Sequence, residues 1–441
     1  MAVIGLGKSG VAATRLLARD GVRVYASDAS PTPYAGEAAA ALRALPGVEV
    51  ELGKHDLDRI RSAVAVVVSP GVPPDAPPLA AARAAGVVIV SEVDLGWRAL
   101  RATGTQCIAI TGTNGKTTTT ALIAHLLQAS GVPATSGGNI GRPLADLALS
   151  AERPRWVAVE MSSFQLHDSP AFAPEVGVLT NLAPDHLDRY PSVEAYYADK
   201  KLLFRNATAD SVWILNGDDA AALALAQGAA GQVRRFSIAQ RADAWYDAGA
   251  RMLRLGADPL LARDDLHLLG AHNVANALAA ALAVTPAGVP REAIGAALRS
   301  FRPLPHRLEP VRDVRGVLWI NDSKATNIAS TRVAVESMDR PFVLLLGGRH
   351  KGEPYTGLGP LLAQRCRAVI AYGEAGPIVQ KDLAGAVTIE AGTTFEDVIG
   401  RAARAATAGD AVLLSPACSS YDMFKNYEER GARFRALVEA M

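Results

Sequence analysis

The sequence predicts an α/β protein of three domains, each built on an open and mostly parallel sheet. Three observations lead there. Short apolar runs alternate with helix-period stretches along all 441 residues, a length that suits several domains. Nearly every apolar run ends in a Gly, Ser, Asn or Asp loop instead of a tight hairpin turn. Two of these strand–loop–helix units, at Gly5–Gly10 and Gly112–Lys116, carry glycines spaced to admit phosphate groups. The expected domain bounds are 1–96, 97–302 and 303–441.

Composition narrows the function classes. Basic and acidic residues balance at 45 and 44, a net charge of +1, which argues against a nucleic-acid or membrane-surface protein. Aromatics are only 5%, too few to suggest a platform for stacking bases. Three scattered cysteines, Cys107, Cys366 and Cys418, form neither a disulfide framework nor a metal motif, and a reducing compartment fits them. There is no basic-then-apolar leader and no uncharged run of bilayer length, so a cytoplasmic protein without membrane insertion is expected.

Ala2-Val3-Ile4 reads as a strand, followed by Gly5-Leu6-Gly7-Lys8-Ser9-Gly10 and a helix from Val11 to Ala18. A second strand, from Val22 to Tyr25, runs on to Asp28. This is a complete G-x-G-x-x-G unit with an acid about 20 residues further on. Taken alone it suits a nicotinamide dinucleotide, although the same turn can hold any pyrophosphate. Val64–Val68 leads into Ser69-Pro70-Gly71, and Pro73–Pro78 reads as a rigid loop ahead of a further strand at Val87–Val90.

The middle segment opens on Ile108-Ala109-Ile110, a buried strand, then Thr111-Gly112-Thr113-Asn114-Gly115-Lys116-Thr117-Thr118 and a helix through Leu122 and Leu126. Glycines let backbone N–H groups close on an anion, and the helix N-terminus adds its dipole. Lys116 can reach a terminal phosphate and Thr117 a Mg²⁺ ion. The usual loop has four residues between its glycines, whereas only two separate Gly112 from Gly115. Gly137-Gly138-Asn139 is a further tight turn. Trp156–Glu160 is a strand ending in a carboxylate, a natural Mg²⁺ ligand beside a phosphate loop. Val176–Leu179 leads into Thr180-Asn181-Leu182-Ala183-Pro184-Asp185-His186-Leu187-Asp188-Arg189-Tyr190, where His186 lies between acids just past a strand end. In the helix that follows, Tyr197 and Lys201 lie one turn apart. Asn273 and Asn276 share a face of a helix that begins at Gly270.

The last segment repeats the pattern. Leu318–Ile320 enters Asn321-Asp322-Ser323-Lys324-Ala325-Thr326-Asn327, and Phe342–Leu346 enters Gly347-Gly348-Arg349-His350-Lys351. Ala368–Tyr372 and Ala411–Leu414 are further strands, the latter leading into Ser415-Pro416-Ala417-Cys418-Ser419-Ser420-Tyr421-Asp422 and on to Tyr427. Lysines and hydroxyls at strand ends suit a carboxylate-bearing substrate.

In these loops the chain resembles the Mur ligase family. The likeness covers essentially the whole chain in order, through the short phosphate loop, Glu160–Leu166, Asp185–Tyr190, His272–Asn276, Asn321–Asn327 and Ser415–Asn426. Asn321–Asn327 discriminates most, and points to the members that add D-glutamate. The resemblance implies an ATP-dependent carboxylate–amine ligase acting as a monomer, with Mg²⁺, on UDP-N-acetylmuramoyl-L-alanine and D-glutamate, in cytoplasmic peptidoglycan precursor synthesis. It implies ATP binding by Gly112, Thr113, Asn114, Gly115, Lys116, Thr117, Thr118, Asn276, Arg307 and Asp322. It implies metal binding by Thr117, Glu160, His186 and Lys201, the last carrying a CO₂-derived carbamate in preference to Lys200. Lys116, His186, Lys201 and Lys324 become the catalytic set. Gly7, Lys8, Ser9, Ser69, Gly71, Asn139 and His186 would hold the UDP substrate, and Thr326, Lys351, Ser420 and Tyr427 the D-glutamate. An L-glutamate-adding variant, a folate-type polyglutamate ligase and a nicotinamide-linked oxidoreductase remain the alternatives.

Overall fold

The computed structural model describes residues 1–30, 33–186 and 189–441, with Pro33 and Tyr34 described by their backbone alone. Leu187 and Asp188 of the expected Asp-His motif therefore lie outside the described residues. Three sheets are divided between two compact units, Met1–Asp265 with Ala275–Ser300, and Leu266–Val274 with Phe301–Met441.

The first sheet runs Val48–Leu52, Val24–Asp28, Ala2–Ile4, Ala65–Val68, Val88–Ser91, all parallel. Strand order reverses between Ala2–Ile4 and Ala65–Val68, which opens a crevice at their C-terminal ends. The second strand starts two residues later than its valines suggest. Gly21, at φ +74°, ends the preceding helix, and the Val22 N–H closes back on Leu17 O. The Pro-rich stretch is not loop throughout, because Pro77 and Pro78 open helix Pro77–Ala84, where a missing N–H leaves no partner unsatisfied.

The second sheet has nine strands. Its parallel part orders Ala134–Gly138, Trp156–Glu160, Gln106–Thr111, Val176–Leu179, Val212–Asn216, Gln232–Ser237 and Ala244–Asp247. The phosphate-loop strand Gln106–Thr111 is thus central, flanked by the strands that end in Glu160 and Leu179. Periodicity had not marked Ala244–Asp247, Met252–Leu255 and Asp258–Ala262, which extend the far edge and bury few side chains. The third sheet, in the second unit, runs Glu309–Val314, Val317–Asn321, Ala411–Leu414, Phe342–Gly347, Cys366–Tyr372, Ile389–Ala391, with only its first pair antiparallel.

The expected seam at 96/97 falls inside one continuous helix, Glu92–Arg101. Leu16, Trp97, Leu144 and Val159 belong to one core cluster, so the first two expected domains share buried apolar surface. Helix Glu92–Arg101 lies close against helix Leu144–Leu149. A Cβ on Gly96 would come within 2.4 Å of the Ala145 nitrogen, so only glycine allows this approach. At the same contact the buried Glu92 carboxylate accepts from the Ala145 N–H at 2.6 Å and caps the second helix.

Burial raises the Glu92 carboxyl from 4.5 to about 7. The folded state therefore holds a proton that the unfolded chain releases, and stability declines as pH rises from about 4.5 to about 7. The loss is on the order of 3 kcal/mol, from a shift of between two and three units at 1.36 kcal/mol each. Glu92→Gln should match the native chain in thermal midpoint near pH 4.5 and exceed it above pH 7, read by circular dichroism melts across that range.

Candidate functional site

The phosphate loop is held in an unusual shape by its glycines. Gly112 lies at φ +141°, and a Cβ there would sit 2.0 Å from Thr180 Oγ1. Gly115 lies at φ +82° as the residue before helix Lys116–Ala129, and its missing side chain leaves room for the Asn276 amide. Asn276 Oδ1 also accepts from Thr119 Oγ1 at 3.2 Å, tying its helix to the loop helix. Lys116 Nζ donates to Gly112 O at 2.9 Å and Thr113 O at 2.8 Å, so it curls over the loop that it would serve.

A second lysine reaches the same carbonyl. Lys200 is only 1% exposed, and its Nζ donates to Gly112 O at 2.8 Å and lies 4.6 Å from the Tyr196 ring centroid. Burial lowers its pKa well below the ordinary value, and the Lys116 charge lowers it further. This corrects the expectation for the helix. Lys201 is exposed, and it is Tyr196, not Tyr197, that is fully buried one turn before the relevant lysine. Adjacent residues differ by about 100° around a helix, so the two lysines cannot share one environment.

Glu160 ends its strand beneath the loop, 2% exposed. Its Oε1 accepts from Asn139 Nδ2 at 3.1 Å, while Oε2 is buried with no hydrogen-bond partner among the described residues. A buried carboxylate oxygen left open beside a phosphate loop fits a divalent cation. Among the described residues no three His, Cys, Asp or Glu side chains converge, so such an ion would complete its shell with hydroxyl, phosphate and water oxygens. His186, at φ +55°, packs edge-on against Phe164 and Tyr196 at centroid distances of 5.6 and 5.9 Å. The Tyr196 ring thus lies against both His186 and Lys200.

Gly7, Lys8, Ser9, Ser69 and Gly71 line one cleft at the crevice of the first sheet, together with Asp28 and His55. Its volume is about 590 Å³. Ser69 Oγ donates to Gly5 O at 2.8 Å, and Asp28 Oδ2 accepts from the Leu6 N–H at 2.6 Å, so the start of the glycine turn is pinned. Asn139 and His186, expected with this group, are not in the cleft lining, and Asn139 is committed to Glu160.

In the second unit, Asp322, Lys324, Thr326, Lys351, Ser420 and Tyr427 lie on loops that meet at one sheet edge. Ala417 N–H donates to Ala325 O at 3.0 Å and Arg349 N–H to Ser419 O at 2.8 Å. The buried Asp322 carboxylate accepts from the Leu308 N–H at 3.1 Å and Ser415 Oγ at 2.8 Å, and burial raises it to about 7. It braces the segment that carries Arg307. Lys324 Nζ lies 5.3 Å from the Tyr427 ring centroid, and Lys351 is exposed. The expected ATP set divides between units, with Gly112–Thr118 and Asn276 in the first and Arg307 and Asp322 in the second.

Arg430 carried no sequence signal. It is fully buried and donates to Ser323 O at 2.8 Å, Ser323 Oγ at 3.0 Å and Cys418 O at 3.1 Å, stitching two of these loops together. An arginine in an amphipathic helix ordinarily reads as surface.

A phosphate loop at the head of one parallel sheet, a cleft at the crevice of another and, in the second unit, a lysine- and hydroxyl-lined sheet edge suit a nucleotide-dependent enzyme of the α/β class. Three domain models agree on which one: the Mur ligase MurD-like N-terminal domain over residues 1–91, the Mur ligase middle domain over 110–284, and the Mur ligase glutamate ligase domain over 306–418. The chain belongs to the Mur ligase family, whose members are ATP-dependent ligases that form C–N bonds. It is 42% identical to the UDP-N-acetylmuramoylalanine–D-glutamate ligase of Acidobacterium capsulatum, over 99% of this chain and 95% of the relative. With the enzyme of that name from Salinibacter ruber it shares 43%, over 100% and 97%. In fold it resembles UDP-N-acetylmuramate–alanine ligase from Thermotoga maritima, with a TM-score of 0.62, 20% identity, and 100% and 99% coverage. It also resembles a pseudomurein peptide ligase type C from Methanothermus fervidus, with a TM-score of 0.61, 19% identity, and 100% and 99% coverage. The glycine turn at Gly5–Gly10 thus belongs to a Mur ligase N-terminal domain, which removes the nicotinamide oxidoreductase alternative.

The burial of Lys200 against the phosphate loop separates two neighbouring lysines experimentally. Lys200→Ala should lower ATP-dependent phosphate release by about a hundredfold or more, and Lys201→Ala should leave it within about threefold. Equal effects of the two substitutions would contradict the register.

Proposed function

We propose that this chain joins the amine of D-glutamate to the L-alanine carboxylate of UDP-N-acetylmuramoyl-L-alanine, using ATP and releasing ADP and phosphate. The observation that carries this is the identity of 42% and 43%, over nearly the full length of both chains, to ligases named for that reaction. The buried, unpartnered Glu160 oxygen beneath a phosphate loop supports the ATP half. No helix among the described residues is long and apolar enough to cross a membrane. A monomer working in the cytoplasm completes the reading.

A carboxylate is inert to amines, so the reaction needs a leaving group. The alanine carboxylate attacks the γ-phosphorus of ATP, giving an acyl phosphate and ADP. The amine of D-glutamate then attacks the acyl carbon, and phosphate departs. The protein aligns two anions and neutralises their charge. Lys116 and the N–H groups of Gly115–Thr118 at the start of the loop helix hold the β- and γ-phosphates. Thr117 and Glu160, with His186, would hold Mg²⁺, which neutralises phosphate charge when bound. Asn276, Arg307 and Asp322 serve the nucleotide, and Lys324 steadies the transferred phosphoryl group. Gly7, Lys8, Ser9, Ser69 and Gly71 serve the UDP moiety. Thr326, Lys351, Ser420 and Tyr427 grip the D-glutamate carboxylates.

Lys200 takes over the modification expected of Lys201. Its buried neutral amine can attack the carbon of CO₂ and lose a proton, leaving a carbamate with two anionic oxygens suited to a hard cation. The Tyr196 ring, against which both the Lys200 Nζ and the His186 ring lie, supports that assignment.

The reaction is tested by phosphate release from ATP with UDP-N-acetylmuramoyl-L-alanine and one of D-glutamate, L-glutamate or meso-diaminopimelate. Release should require D-glutamate, and equal rates with either alternative would overturn the assignment. Lys116→Ala should keep a native circular dichroism spectrum while turnover falls by more than about a hundredfold, since a loop-tip lysine adds little packing but meets the transferring phosphate.

Lys351 is exposed at its sheet edge, where an ammonium can pair with a substrate carboxylate in the ground state. Lys351→Ala should raise the KM for D-glutamate by about tenfold or more and leave the KM for ATP within about twofold. Loss of ATP affinity with an unchanged glutamate KM would move Lys351 to the nucleotide.

A further inference from the structure

Asn181 has so far had no role. It follows strand Val176–Leu179, and its side chain meets the phosphate loop at Asn114. The Asn114 N–H donates to Asn181 Oδ1 at 2.9 Å, and Asn181 Nδ2 donates to Asn114 O at 3.0 Å. One side-chain amide thus takes both backbone groups of a single loop residue, as a neighbouring strand would. This pairing admits only one orientation of the amide, because an N–H needs an acceptor and a carbonyl a donor. Two further bonds come from the same segment: Thr113 N–H to Asn181 O at 2.9 Å, and Thr180 Oγ1 to Asn114 O at 2.6 Å.

The clamp is itself anchored. Asn216 Nδ2 donates to Thr180 O at 3.0 Å, and the Leu182 N–H donates to Asp219 Oδ2 at 2.7 Å. Asn216 and Asp219 lie at the end of the next strand, Val212–Asn216, and just beyond it. The loop has only two residues between its glycines, and four bonds from the Thr180-Asn181 segment hold them. Its shape comes from outside, through the neighbouring strand end.

We propose that Asn181 is a positioning residue, holding Thr113 and Asn114 so that the loop N–H groups and Lys116 stay arrayed for the triphosphate before it binds. The side chain touches neither phosphate nor metal and acts through the loop. The inference rests on the loop being the ATP site.

The test uses the full-length protein as Asn181→Asp, Asn181→Ala and Thr180→Val. Asn181→Asp keeps the acceptor for the Asn114 N–H, but it loses the donor and places a negative charge beside the Asn114 carbonyl, so it should be the worst of the three. Hydrogen exchange without nucleotide should show the amides of Thr113 and Asn114 exchanging at least about tenfold faster, with the strand Gln106–Thr111 unchanged. The KM for ATP should rise about tenfold or more, while those for the UDP substrate and D-glutamate stay within about twofold. Unchanged exchange with an unchanged ATP KM would overturn the proposal, as would a uniform rise in all three KM values with a lowered melting temperature, which is the mark of a purely structural residue. Lys116→Ala separates the two levels. If it leaves ATP use intact, the loop is not the nucleotide site; if it abolishes ATP use while the Asn181 variants match the native enzyme, only the clamp is lost.

Discussion

The carbonyl oxygen of Gly112 accepts hydrogen bonds from two lysines, and the site is arranged around that contact. Lys116 reaches it at 2.9 Å from the first turn of the loop helix, and Lys200 at 2.8 Å from a helix more than eighty residues later. Both donors carry charge when protonated, and burial removes the water that would screen them. The pair is tolerable because Lys200 is pushed toward its neutral amine. Gly112 is the residue that can present its carbonyl this way, since its φ of +141° and the closeness of Thr180 exclude a side chain.

Around that contact, polar groups are fixed from several directions at once. Asn139 turns one oxygen of Glu160 and leaves the other open. Asn276 packs into the space that Gly115 vacates. In the second unit Arg430 does comparable work with neutral acceptors, joining the Asp322–Thr326 loop to the Ser415–Ser420 loop without a carboxylate partner. Such networks rigidify only when nearly every member is satisfied, so the few open atoms they leave are informative.

Much of the fold was legible. Strands Trp156–Glu160, Val176–Leu179 and Ala411–Leu414 have the bounds their apolar runs indicate, because buried parallel strands have little choice of residue. The antiparallel edge from Ala244 to Ala262 was silent, because a half-exposed edge needs no continuous apolar run. The seam expected at 96/97 falls within one helix, whose Trp97 and Leu100 belong to a core cluster that the segments on both sides share.

By itself the sequence determined the three sheets, the phosphate loop, the family and nearly all the loops on which the candidate residues stand, because glycine spacing and apolar runs are local properties of the backbone. Family spacing favoured Lys201 over Lys200, but nothing in the sequence shows which of the two is buried. Tyr196 and Tyr197 precede them in the same order, so either pair satisfies a one-turn spacing. The choice belongs to the tertiary structure, since which side of a helix is buried depends on what packs against it. Here the phosphate loop and the Tyr196 ring enclose Lys200, and one further residue of rotation leaves Lys201 in solvent.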